Sequence, residues 1–515
     1  MLRERLYKGL LIASIIGIVL VILFGLIADV FAASLVAKDT SGIYKAKTGE
    51  RELPDQRTRS FKKFKNGKQY RVAGQIGPIH YRQDPFSTTE QYKEIDLDII
   101  ATPLEDWDYA VEDNGYQVHV WNSRFIQGKD VPYIAEFRRA GKSISMCPLQ
   151  LKIGATIIEP VIGIEPIIDN EAYTIAWKDA FGSGIDYRYN LRPDEFFKTV
   201  IINEPLPDGT ITLTLGLAWG NDTRSANGFA NGVQLGGLPN NIDNTPANEA
   251  LENSQRFAYL DELGRQVFWM QEPEAWDSGE NRQKLDWKLK RHGNKVYAEL
   301  SVGDISGWQY PIYIDTDISE EQVGADVDDA LTRYQAARWY GYTANYVGAG
   351  YQSSSFHAKC CGMRFLTIPI PQAATINSAA LSFHAYSTIG TSTANTEIQA
   401  YDADNATSNL SLQATWDSYF PSNLTTASVD WNITSTWTDG NWYDSPDISS
   451  VIQEIIDRPG WVSNNNMIIF WHDYDDDSTV ERQGDDYHWD ATGAAKFNAS
   501  YNEASSGQVI SIRTE

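Results

Sequence analysis

The residues of this 515-residue chain best suited to chemistry stand close together near its end. They run His472-Asp473-Tyr474-Asp475-Asp476-Asp477-Ser478-Thr479-Val480-Glu481, with Asp485, Asp486, His488 and Asp490 soon after. Carboxylates at alternate positions on a loop present several oxygens to one hard cation. Asp473, Asp475, Asp477 and Glu481 are therefore candidate ligands, and Ca²⁺ is the candidate ion. The twelve-residue EF-hand pattern fails: Ser478 stands at its glycine position, and Gly484 where its closing glutamate belongs. A solvated acidic hairpin tip is the competing reading.

Tryptophans offer a second chemistry. Trp416, Trp431, Trp437, Trp442, Trp461, Trp471 and Trp489 crowd the last 100 residues. A flat aromatic face stacks on the C–H face of a sugar ring, while nearby amides and carboxylates bond its hydroxyls. Trp431, Trp437 and Trp442 lie in polar, turn-rich sequence beside Asp439 and Asn441, so these five form the candidate glycan platform. Core packing is the alternative for each ring. Trp461 and Trp471 flank a helix and an apolar strand, and are assigned to the core.

Other chemistries leave no signature. The chain has no G-x-S-x-G elbow, Walker loop, H-E-x-x-H or G-x-G-x-x-G. Its seven histidines show no metal-binding spacing. A glycosidase pair needs two carboxyls held about 5–9 Å apart. An acid-rich sequence makes such pairs easy to imagine and cannot measure them.

Positioning these residues falls to a mainly β chain. Hydrophobic residues make up 42%, and 38 glycines and 27 tyrosines favour turns and aromatic-rich strands. The net charge is −25, and residues 317–515 hold 26 acids against 8 bases. A field of that sign disfavours nucleic acid and anionic lipid as partners. Cys147, Cys360 and Cys361 permit at most one bridge, from Cys147 to either neighbour.

Residues 1–33 open with Arg3, Arg5 and Lys8 and continue through an uncharged run from Gly9 to Ala28. This is a signal peptide or membrane anchor, which places the protein outside the cell or on its surface. The membrane enters only through this segment. Residues 34–69, with Lys62, Lys63, Lys65 and Lys68, read as a basic polar linker. Residues 70–316 read as a β-rich domain interrupted by an Asn/Gly-rich loop at 221–253. Residues 317–515 read as a jelly-roll-like sandwich with one amphipathic helix at 446–458. Ser445 is its expected N-cap, Pro446 its first residue, and Ile448, Val451, Ile452, Ile455 and Ile456 its apolar face.

Ile79-His80-Tyr81-Arg82, Tyr92 to Asp96, Ala176 to Phe181, Gly184 to Tyr189 and Tyr310 to Asp315 resemble a β-rich segment found near the front of bacterial wall-associated and other large secreted proteins. The strand at 364–371, the run 374–386, the stretch from Ser445 to Trp461 and the strand at 466–471 resemble the DNRLRE-type β-sandwich, some of whose relatives are carbohydrate-binding modules. The name-giving acidic and basic motif is absent. The resemblance implies a non-catalytic extracellular module and transfers no binding residue. Taken together, the expectation is a secreted or surface-anchored non-catalytic protein. Its C-terminal module meets a glycan or cell-surface polymer, with a homo-oligomer as a further possibility. A virion or appendage structural protein and an extracellular polysaccharide-active enzyme are the alternatives.

Overall fold

The computed structural model describes residues 38–504 apart from 103–107, 121–133, 162, 207–208, 221–256, 262, 264, 280, 293–294, 320–327, 336–337, 343–345, 354–355, 412 and 476. The expected signal peptide or membrane anchor at 1–33 and the whole Asn/Gly-rich loop at 221–253 lie outside these residues. No described helix is long and apolar enough to cross a membrane.

The chain is mostly β, in two sandwich-like bodies. Two nine-stranded sheets build the first around one core. Its strand Ile211–Gly220 alternates with a period of two: Ile211, Leu213, Leu215 and Leu217 are buried. The strand Ile312–Ser319 pairs along its whole length with Glu195–Ile202. The first body therefore extends past the expected boundary at 316.

The second body packs a six-stranded sheet against an eight-stranded one. The six-stranded sheet corrects the linker expectation. Phe61–Asn66 pairs with Gln69–Gln75, and Gln69–Gln75 pairs with the last described strand, Lys496–Asn502. Phe61 and Val72 enter the core of the second body. Lys62 and Lys63 misled because this strand buries them with partners, whereas Lys68, in the turn, is exposed. Lys62 reaches Glu94 at 2.5 Å, and Lys63 lies over the rings of Tyr70 and Tyr501.

The helix is real but shorter than expected, Ser449–Ile456. Val451, Ile452, Ile455 and Ile456 are its buried face. Ser445 does not cap it; the hydroxyl accepts from Leu381 N–H and donates to the Pro446 carbonyl. Asp447 receives the Ser449 N–H instead. A second helix, Gln413–Tyr419, was not expected.

Alternation along Met467–His472 explains that second helix. Met467, Ile469 and Trp471 enter the main core between the sheets. Ile468 and Phe470 point outward and form a smaller core with Trp416, Tyr419 and Phe420. The segment carrying Gln413–Tyr419 thus roofs part of the sheet's outer face. Cys360 and Cys361 split the same way, one to each core, so neighbouring thiols diverge. All three cysteines are free and buried, and no bridge forms.

Candidate functional site

The expected aromatic platform is not one. Trp431 and Trp437 are 8% and 1% exposed. They pack with Phe383 and Trp471, Trp431 lying 5.0 Å and Trp437 5.8 Å from the Trp471 ring. Tyr443 stacks on Trp437 at 4.7 Å. The polar sequence around Trp437 hid a backbone bridge: Trp437 and Ile389 exchange N–H···O bonds of 2.9 Å, which draws the turn over the core. Trp442 is half-buried and already occupied. Its Nε1 donates to Thr40 at 2.8 Å, and Lys496 lies 3.8 Å from its ring centre. Asp439 and Asn441 are exposed beside it but have no free aromatic face to serve. Trp461 and Trp471 are buried, as expected.

The acidic loop also departs from expectation. Asp473 is buried, and its carboxylate accepts from the N–H groups of Asp477 and Ser478, closing its own turn. Glu481 lies on a strand beyond the loop and pairs with Lys359 at 2.5 Å. Among the described residues, the four expected ligands do not converge as a metal-binding group; His384, Asp485 and Asp490 are the residues that do.

Asp473, Asp475 and Asp477 nevertheless line a cleft of about 340 Å³ on the outer face of the eight-stranded sheet. Its sheet wall follows from register. His472 sits opposite Glu397, and Glu397 opposite Asp430, giving one row across three strands on the face left unroofed. Asn395 and Asn432 form the next row. Like charges directly opposite on neighbouring strands destabilise a sheet, and among the described residues neither Glu397 nor Asp430 has an ion-pair partner. No lysine or arginine lines the cleft. Burial pushes the His472 imidazole down to about 3, so it is neutral at pH 7. Its Nε2 is bonded to Gln399 Oε1 at 3.2 Å, and its Nδ1 has no partner. An unpaired buried polar atom costs about 1–3 kcal/mol.

The group that does converge reads as an ion network. His384 Nδ1 donates to Asp485 at 2.5 Å, and that bond raises the imidazole above its ordinary value. Burial raises the Asp485 carboxyl. Asp490 bonds Thr492 through both its N–H and hydroxyl. Lys496, fully buried, pairs with Asp39 at 2.9 Å and also attracts Asp490 and Asp485. An internal ammonium beside the acids supplies the charge that a metal would bring. The network ties segment 38–44 to the sandwich.

Among the described residues, Trp489 is the tryptophan that presents its ring to solvent. Trp489 is 57% exposed. The residues before it are anchored in the first body: Tyr487 donates to Asp194 at 2.7 Å, and Arg192 donates to His488 at 3.3 Å. Trp489 N–H donates to Asp486, fixing the turn. Its ring meets the edge of Tyr386 at 5.5 Å, and Tyr386 stacks on Tyr346 at 5.2 Å. Lys359 sits over the Tyr346 ring. Beside these rings Ser387 donates to Gln483, and Gln483 to Glu481. Sequence reasoning counted Trp489 without selecting it. Its signal was a tryptophan between His488 and Asp490, outside any alternating apolar strand.

No family sequence profile matches the chain, and no curated protein is similar to it in sequence. Among solved structures, a Paenibacillus xanthan lyase is similar over 87% of this chain and 55% of that one, at 8% identity and a TM-score of 0.14. The chain spans about half the length of that structure, and a likeness this weak carries no argument about fold or function.

Proposed function

We propose that this is an exported, non-catalytic binding protein whose C-terminal sandwich holds a glycan or cell-surface polymer at Trp489. The exposed Trp489 ring, braced by Tyr386 and Tyr346, is the observation that carries this reading. Burying a large apolar side chain is worth about 1.5–3 kcal/mol, which a ring held in solvent forgoes. A fixed, exposed indole flanked by hydroxyl, amide and carboxylate groups suits a sugar ring: an apolar face for stacking and polar edges for its hydroxyls. The DNRLRE-type resemblance supports the same reading, and the uncharged run after Arg3, Arg5 and Lys8 supports export.

The test is retention of the purified protein on a panel of insoluble polysaccharides and cell-wall preparations. Wild type is expected to bind at least one polymer without releasing sugar, and Trp489→Ala to lose that retention. Sugar release from the bound polymer would contradict the non-catalytic role.

A second reading, a structural component of a larger assembly, is favoured by one observation. Ile157, Val161 and Ile167 are 55%, 42% and 57% exposed within a single short stretch of the first body. Ile167–Asp169 is an edge strand. Exposed apolar edges invite pairing with another chain. Sedimentation showing regular oligomers that Ile167→Lys dissolves would support it.

A further inference from the structure

We infer that the open cleft on the outer face of the eight-stranded sheet takes an ammonium-bearing sugar, so that the glycan class is a polymer with free amino groups. This rests on the glycan reading above and names its chemistry at a second place on the same body.

The argument starts from charge. Glu397, Asp430, Asp473, Asp475 and Asp477 line the cleft, with no lysine or arginine among its lining residues. Glu397 and Asp430 face each other across neighbouring strands, where a native sheet ordinarily places opposite charges or a polar pair. A bound cation would remove that repulsion. The second observation is independent of the acids. His472, 1% exposed, shares the row of Glu397 and Asp430, lines the cleft and has an unpartnered Nδ1. Because Nε2–H is directed to Gln399, Nδ1 carries a lone pair, and what it lacks is a donor.

The spacing of the acids chooses between cations. A single Ca²⁺ gathers its oxygens at 2.3–2.6 Å, which demands convergence. Among the described residues, three or more acidic or imidazole groups gather that closely only at His384, Asp485 and Asp490. The cleft's carboxylates are instead spread along a row and a loop, over a volume within the range of small-ligand sites. Dispersed acceptors with two amides, Asn395 and Asn432, match a ligand whose charge and hydroxyls are themselves dispersed. Tyr474, 52% exposed and edge-on to Phe420 at 6.1 Å, adds an aromatic face at the rim.

The experiment titrates the full chain by calorimetry with a glucosamine hexamer and with the N-acetylated hexamer, at a pH where the free amines are protonated. The expected result is at least tenfold tighter binding of the amino form. It should weaken several-fold between low and moderate salt and be lost in Glu397→Gln/Asp430→Asn. Removing these charges takes away a repulsion, so the double variant should fold, which its melting curve checks. Equal affinity for both hexamers, or unchanged binding by the folded double variant, overturns the inference. So does Ca²⁺ binding that the double variant abolishes. Each of these leaves the Trp489 reading intact, because that reading is decided by whether Trp489→Ala loses retention on the polysaccharide and cell-wall panel.

Discussion

Two groups of tryptophan in one sandwich do opposite work. Trp431 and Trp437 sit in sequence that looks like exposed turn, yet they fill the core beside Trp471 and Phe383. Trp489 sits between residues anchored in the neighbouring body, yet its own ring faces solvent. Local polarity says where the backbone meets water. It does not say where a large ring goes once the loop is pinned at both ends. The pins decide: the Trp437–Ile389 bridge for the first group, and Tyr487 and His488 for the second.

Substitutions sharpen the contrast. Trp437→Ala should cost about 3–5 kcal/mol in chemical denaturation, the usual loss for emptying a large aromatic site in a core. A loss under about 1 kcal/mol would mean that this turn is not part of the core. Trp442→Ala removes one hydrogen bond and one cation–π contact. It should cost about 1–2 kcal/mol in the same assay.

Acidity supplies a third test. The bond to Asp485 raises His384 above its ordinary 6.5. The charged imidazolium therefore stabilises the fold fully below about pH 6.5, and this is lost as the pH rises through the raised value. The groups facing His384 are Asp485 and Asp490, with Lys496 and Asp439 nearby. Melting temperature should fall from pH 6 to pH 8 in wild type and fall less in His384→Gln. A parallel decline in both proteins would remove the network from the account. The smallest effect is expected at Glu397→Gln, a gain of several tenths of a kcal/mol without ligand. A clear loss of stability there would show that the carboxylate has a structural partner.

Much of the fold was legible in the sequence. Residue patterning placed the chain in the mainly β class, and Ile448, Val451, Ile452, Ile455 and Ile456 marked the helix and its buried side. Residues 51–69 were misread because four lysines within seven positions look solvated. Only tertiary structure shows that Lys62 meets Glu94 and that the neighbouring strand, Gln69–Gln75, pairs with Lys496–Asn502, over 400 positions away. The cleft was half legible. Asp473, Asp475 and Asp477 stood out, but Glu397 and Asp430 join them only through strand register. The outer face is divided by a roof, and no pattern in Ala394–Ala400 says that the roof stops short of Glu397.

The central claim is that this sandwich binds a glycan through an exposed indole and not through its tryptophan-rich turn. Polysaccharide retention by Trp489→Ala and Trp442→Ala, both confirmed as folded, tests it most directly. The account predicts at least a tenfold loss for the first and retention close to wild type for the second. Full retention by Trp489→Ala would contradict it.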